Sequence, residues 1–430
     1  MIPCSGFAVW AILATANGPI VDERAIQALV ESLGAADFRE REKANRELTA
    51  LGDFARPALQ KAVEATDNPE IERRLEVLIA RIDRDRLALP KRITLRGKYS
   101  VEDLLKHVKR QTGYAFSEIA NEGKISMVVN WKETTFWDAM DEIATATGFG
   151  IQMAGDEANS IGFYQNETYD PHVCRTGPYR LVATNIGTNA NRQLSGLPRK
   201  GLPLVQYGNA NINFTLFSEP KNPMLGVGTP VLTKAIDDTG HSLLPGTDDN
   251  ARGFSSSYYG GGGQRGHNLY TYAGLAKPSK DATVIKELRG KVAVTLLAGT
   301  RPELTIEKLK AATKKTFVSR TTELTVESVG DPDEGGFTVA LTAKQLRPNP
   351  EDYTWSSAFP QKLEAYDATG RKYLNGGVSA QQQGPGSTSV TVQFASPEGK
   401  KLGPPTKLVL VEWLSVQRDV EFAFEGIPLP

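Results

Sequence analysis

"PVLTKAIDDTGHSLL", residues 230–244, is matched further along the chain by "PQKLEAYDATGRKYL", residues 360–374. Each reads as a strand that runs into Asp-x-Thr-Gly. In that pattern the leading carboxylate, Asp237 or Asp367, caps backbone N–H groups, and the glycine, Gly240 or Gly370, takes positive φ. The match is one of several. "GPYRLVATNIG" (177–187) parallels "TTELTVESVG" (321–330), and "INFTLFSEP" (212–220) parallels "FTVALTAKQ" (337–345). "LAKP" (275–278) parallels "FASP" (394–397), and "GKVAVTLLAGTRPELTIE" (290–307) parallels "TKLVLVEWLSVQRDVEFAFE" (406–425). Gly and Pro are frequent, alternating runs recur roughly every 8–12 residues, and helical periods are few. Residues 175–430 are therefore expected to form two tandem β-sandwiches of immunoglobulin-like type, 175–307 and 314–430.

The repeat disciplines the most tempting motif. In "YYGGGGQRGHNLYTY" (258–272), Gly261, Gly263 and Gly266 satisfy G-x-G-x-x-G. A dinucleotide turn must follow a strand and open a helix. Neither flank fits, and the second copy keeps a glycine-rich loop in the same interval, "NGGVSAQQQGPGSTS", but not the motif. No cofactor is expected. The stretch reads as a loop joining two strands, and Tyr258, Tyr259, Arg265 and His267 make it a candidate binding loop, since such groups are common at paratopes. Trp355, in "DYTWSS", is the further aromatic to be tested for convergence with them.

Asp238-Thr239-Gly240 matches the aspartic-protease triplet, whose two copies share a proton across a pseudo-dyad. The second copy reads Ala368-Thr369-Gly370, so the pair is broken and a turn is the better reading. The four histidines, His107, His172, His241 and His267, are scattered, and His172 and Cys174 together fall short of a tetrahedral metal site. "GDPDEGG" (330–336) fails the spacing of a calcium loop. No metal site and no catalytic group is expected.

Residues 20–86 read as helices. Leu48 and Leu51, Leu59 and Val63, and Leu75, Leu78, Ile79 and Ile82 recur at helical spacing. Gly34 and Gly52 stop helices, Asp37 and Asp53 start them, and Pro69 opens the fourth. "DFREREKANRELTALGDFARPALQKAV" resembles HEAT-type helical hairpins, over about one and a half hairpins; such arrays usually need at least about three repeats, so this block is expected to dock on something.

Residues 91–166 mix strands with two helices that are near copies. Ser100/Thr135, Val101/Phe136, Asp103/Asp138, Leu105/Met140, Val108/Ile143 and Gly113/Gly148 correspond. Ser100 to Asp103 is a capping box, and the glycines end the helices. The duplicated helix with its "TGY" and "TGF" ends resembles the short N-terminal domain of secretins and TonB-dependent receptors. That resemblance implies a small α/β module that contacts other proteins in the periplasm; no barrel or pore sequence follows it.

The chain has 430 residues, with 50 Lys plus Arg against 50 Asp plus Glu, and two cysteines, Cys4 and Cys174. Zero net charge argues against a general nucleic-acid binder. Two cysteines exclude a disulfide framework. "MIPCSGFAVWAILATANG" carries an apolar run ending in Ala14-Thr15-Ala16, the layout of a signal peptide over 1–16, though no Lys or Arg precedes the run. No later stretch is long enough to span a bilayer. The expectation is an exported, non-enzymatic, multi-module α + β protein, periplasmic or envelope-associated, with a protein partner; the alternative is carbohydrate or surface-polymer binding through sandwich loops.

Overall fold

The computed structural model describes residues 23–35, 37–52, 55–66, 68–117, 125–154, 160–165, 172–192, 206–245, 265–330, 336–348, 354–397 and 402–430. The expected signal segment, Tyr258, Tyr259, Gly261 and Gly263 lie outside them. The fold is mixed α + β with several sheets. It divides into two compact units, Met1–Gly113 with Ser126–Thr134, and Tyr114–Ile125 with Thr135–Pro430. Among the described residues no helix is long and apolar enough to cross a membrane.

In the first unit, α1 (Glu23–Ser32), α2 (Phe38–Leu51), α3 (Arg56–Ala65) and α4 (Pro69–Ala88) share one core. Leu48, Leu59 and Leu75 are fully enclosed in it. Asp37 caps α2 by accepting from the Arg39 N–H, Gly52 closes it at φ 54°, and Asn68 caps α4 ahead of Pro69. The ion pair Arg56–Asp83, Nε to Oδ1 at 2.6 Å, ties α3 to α4. The unit also holds β1 (Arg92–Ser100), α5 (Val101–Thr112) and all but the last residue of β3 (Ser126–Thr135), with β1 and β3 paired. The short β2 (Ala115–Phe116) belongs to the second unit, with α6 (Phe136–Thr147), β4 (Phe149–Ala154) and β5 (Ser160–Gln165). The block 91–166 is thus divided between the two units.

The two helices keep their matching ends. Ser100 Oγ accepts from the Asp103 N–H and Thr135 Oγ1 from the Asp138 N–H, while Gly113 and Gly148 sit at φ 77° and 72°. Their faces differ. In α5, Glu102 and Lys106 form an exposed i,i+4 ion pair. The equivalent positions of α6 are Trp137 and Asp141, both buried. Two substitutions at one spacing convert a solvated stripe into a second docking face.

The second unit also contains the repeat. Its first copy supplies β6 (Val173–Thr176), β7 (Tyr179–Arg192), β8 (Gln206–Ser218), β9 (Met224–Val227), β10 (Val231–Asp237), β11 (Asn268–Leu275) and β12 (Val284–Glu307). Its second supplies β13 (Lys315–Val318), β14 (Thr322–Val329), β15 (Gly336–Gln345), β16 (Leu363–Asp367), β17 (Leu374–Gly384), β18 (Ser387–Ala395) and β19 (Pro405–Pro428). One sheet runs β11-β8-β7-β6 and its counterpart β17-β18-β15-β14-β13, the same order with one strand added. The addition corrects a sequence expectation. The second copy's glycine-rich interval is not a loop, because Leu374–Gly384 pairs along β18, with a bulge at Gly377 (φ 101°) and a turn at Gly386 (φ 63°).

The copies share their remaining sheet, ordered β10-β12-β19-β16, with β9 also on β12. β12 and β19 are each 24 residues long and pair antiparallel from Val284↔Pro428 to Glu307↔Lys407. The first half of β12 pairs with β10 and β9, and the first half of β19 with β16. Each strand then runs on into the other copy. Phe422 and Phe424 of β19 pack on Phe214 of β8, at 5.4 and 5.8 Å between ring centroids. Ile306 of β12 is buried in the core built by Leu324, Phe337, Val392, Leu408 and Leu410. The limits 175–307 and 314–430 separate the copies in sequence, but each copy's last strand crosses into the other's core.

Phe424→Ala removes a buried ring from the first copy by changing a strand that starts in the second. It is expected to cost about 3–5 kcal/mol. Hydrogen exchange at the Leu181 and Leu324 amides, one in each copy, should then report a common loss of protection. Loss at Leu181 alone would show that the copies unfold independently.

Candidate functional site

Of the residues proposed for the binding loop, Arg265, His267 and Trp355 are among those described. Arg265 donates its backbone N–H to Gln361 Oε1 at 2.6 Å, so the foot of the glycine stretch rests on the second copy's 3-10 turn Phe359–Lys362. Trp355 is half-buried, packed on Phe359 at 5.3 Å and against the second copy's core. His267 is a correction: only 4% of it is exposed, so the loop does not present its ring. Its neighbour Asn268 starts β11, which pairs with β8 and draws the imidazole inward beside Ser218. Burial, and then the Arg265 charge, pushes the His267 pKa down to about 4. Gly266 is bridged to Met224 and followed by β11, so a strand stands where a dinucleotide turn requires a helix.

His267 belongs to a buried polar junction at one end of the sheet β11-β8-β7-β6. Trp137 of α6 donates its indole N–H to Pro178 O at 2.9 Å, and its ring lies 6.1 Å from that of Phe217. Asp141 accepts from Arg175 Nε at 2.5 Å and from Arg180 Nε at 2.8 Å, and the Arg180 guanidinium lies over the Phe217 ring. Tyr114 donates to Glu219 Oε2 at 2.7 Å, with Lys221 Nζ at 3.7 Å from the same oxygen. Arg180, Ser218, Glu219 and Asn222 are almost wholly enclosed. These groups lock α6 and β2 onto the sheet.

The Asp-x-Thr-Gly stretches are turns in both copies. Asp237 Oδ1 accepts from the N–H of Thr239 and of His241, and Asp367 Oδ1 from those of Thr369 and Arg371. Gly240 and Gly370 sit at φ 86° and 79°. Burial raises the Asp237 carboxyl, but hydrogen bonds from Thr239, Ser279 and His241 outweigh it and hold the group well below the usual carboxylate range. Asp367 is held down in the same way by Thr369, Arg371 and Gly403. Such carboxylates stay ionised and saturated, unsuited to sharing a proton.

One surface was missed in the sequence. Beyond the part covered by α6, the outer face of the same sheet carries Tyr270 and Tyr272 on β11, Asn211 and Asn213 on β8, and Asn185 on β7. Tyr272, Asn213 and Asn185 lie in one register row, and the Asn213 amide donates to Asn185 Oδ1. Tyr270 is 65% exposed. The signal was the period-2 placement of Tyr in "NLYTYAGL" and of Asn in "GNANINF".

Two outcomes check the structural roles. Nothing lies within 4 Å of a Cβ added at Gly240 or Gly370, so Gly240→Ala and Gly370→Ala should each cost about 1 kcal/mol or more through backbone strain alone; unchanged melting would refute the turn assignment. The unfolded chain binds a proton at His267 near pH 6.5 and the folded chain only near pH 4. Stability should be full above about pH 6.5 and fall by roughly 3 kcal/mol as the pH drops to 4. His267→Gln should remove that slope from a series of urea titrations. Asp237 and Asp367 have depressed values, so their contribution is present above about pH 4 and is lost only in stronger acid. No protein-family model matches the chain, and neither a curated protein nor a solved structure shows significant similarity to it.

Proposed function

We propose that the chain is an exported, non-enzymatic, multi-module protein that makes protein–protein contacts in the bacterial cell envelope. The observation that best supports this is where the buried charge goes. Asp141, Glu219, Asp237 and Asp367 are buried carboxylates of the kind catalysis uses. Each is engaged in joining one chain segment to another: α6 to the sheet, β2 to the end of β8, and the two strand-closing turns. Chemistry of this sort holds modules in a fixed order.

On this reading residues 20–86 are HEAT-like helical hairpins. Residues 91–166 form a module like the short N-terminal domain of secretins and TonB-dependent receptors, and 175–307 and 314–430 are immunoglobulin-like sandwiches. The β12–β19 pairing supports a scaffold role, since it holds surfaces on both copies in one orientation and lets a partner engage them together. A second reading, carbohydrate or surface-polymer binding, is favoured by the gathering of Tyr270 and Tyr272 on a sheet face rather than in loops.

Export is expected to remove residues 1–16, so the mature chain should begin at Asn17 in the envelope fraction. A photo-crosslinking residue at exposed Val128 or Val378 should yield discrete protein adducts in native cells. An intact Met1 in the cytoplasmic fraction, with no adduct from either position, would refute the proposal.

A further inference from the structure

We propose that the outer face of β11-β8-β7 is a binding site for an uncharged polysaccharide, built by Tyr270, Tyr272, Asn185, Asn211 and Asn213. This deepens the second reading above and does not depend on the protein-contact reading.

The chemistry of the face narrows its ligand. Its side chains are two phenols and three primary amides, none of which carries charge at neutral pH. None of these five groups offers an anionic polymer a cation to pair with, and three neighbouring amides make the patch more polar than the largely apolar core of a protein interface. Each amide offers two donors and two lone pairs. The amides are held in a row: Asn211 Nδ2 donates to Asn213 Oδ1 at 3.5 Å, and Asn213 donates on to Asn185. Such a row is orientated before binding and keeps further donors and acceptors for hydroxyl groups, which are themselves both donors and acceptors.

The surface also lacks side chains on either side of Asn211. The residues opposite Asn211 across the sheet are Gly187 and Gly274. The Asn211 amide lies over Gly187, where an added Cβ would come within 2.7 Å of Oδ1. Thr184, the extra residue of a bulge in β7, donates its hydroxyl to Asn213 O and steadies the row's edge. Tyr270 and Tyr272, two apart on one strand, place rings about 7 Å from each other. Sugar rings present C–H faces that stack on such aromatics while their equatorial hydroxyls reach sideways, here toward the amides. Stacking aromatics are here supplied by an edge strand, on a scaffold whose opposite face is pinned through Phe214 to Phe422 and Phe424.

Native affinity electrophoresis of the full chain tests this, in gels containing hydroxyethylcellulose, galactomannan, laminarin or dextran, with alginate as the anionic comparison. At least one neutral polymer is expected to retard the protein. Tyr270→Ala should weaken that retardation about tenfold with thermal unfolding unchanged, since the ring is largely in solvent. Gly187→Val, which displaces the Asn211 amide, should weaken it as well. No retardation by any neutral polymer, retardation by alginate alone, or equal retardation of Tyr270→Ala would overturn the assignment. A protein adduct from a crosslinker at position 270, with no polymer binding, would overturn it in favour of a protein ligand. Adducts from Val128 or Val378 bear only on the protein-contact proposal, so the two failures are distinguishable.

Discussion

The antiparallel pairing of β12 with β19 is the constraint on which the rest of the second unit depends. A strand of 24 residues spans about 80 Å, several times the usual length, and cannot be absorbed by one sheet of ordinary size. Each strand therefore serves two cores in turn. Phe422 and Phe424 complete the core of a copy to which they do not belong in sequence, and Ile306 does the reverse. The bulges at Leu297/Gly299 and Pro302/Leu304 fall where the ribbon passes from one copy to the other. A bulge increases local twist and re-aims a strand, and it accommodates a proline that has no N–H to give.

A second dependence is the docking of α6. Trp137 and Asp141 turn a helix that would otherwise face water on that side into one held by an indole hydrogen bond and a two-arginine carboxylate. A buried ion pair adds little net stability over an apolar contact of the same size, but it is costly to leave half-made. The Asp141–Arg175–Arg180 cluster therefore acts on register: α6 sits where both guanidinium groups find their oxygens. α6 covers Phe217 and Arg180 at one end of this side of the sheet, and the tyrosine–asparagine face lies further along the same side.

The contrast between loop and sheet bears on recognition. Any segment that has to be ordered on binding costs conformational entropy for every residue fixed. Tyr270 and Tyr272 are already ordered by eight paired residues between β11 and β8. A rigid platform of this kind would lose little freedom on binding the proposed polymer.

Much of this was legible in the chain. The paired helix caps at Ser100 and Thr135, the glycines at positive φ, and the Asp237 and Asp367 turns are local, encoded within about five residues, and stand as expected. The correspondence of strands between the copies was visible in the repeat. Contacts between distant segments were not legible. Alternation in β12 and β19 is the same whichever sheet receives each half, so the exchange had to wait for packing to decide it. The period-2 pattern of β17 was hidden by glycines that serve a bulge. His267 looked like a loop residue because nothing nearby in sequence buries it; Ser218, 49 positions away, does so only once β8 and β11 pair. Local sequence determined the elements and their ends because those depend on neighbours along the chain. Tertiary structure alone decided which faces are covered and which remain open, because burial depends on neighbours in space.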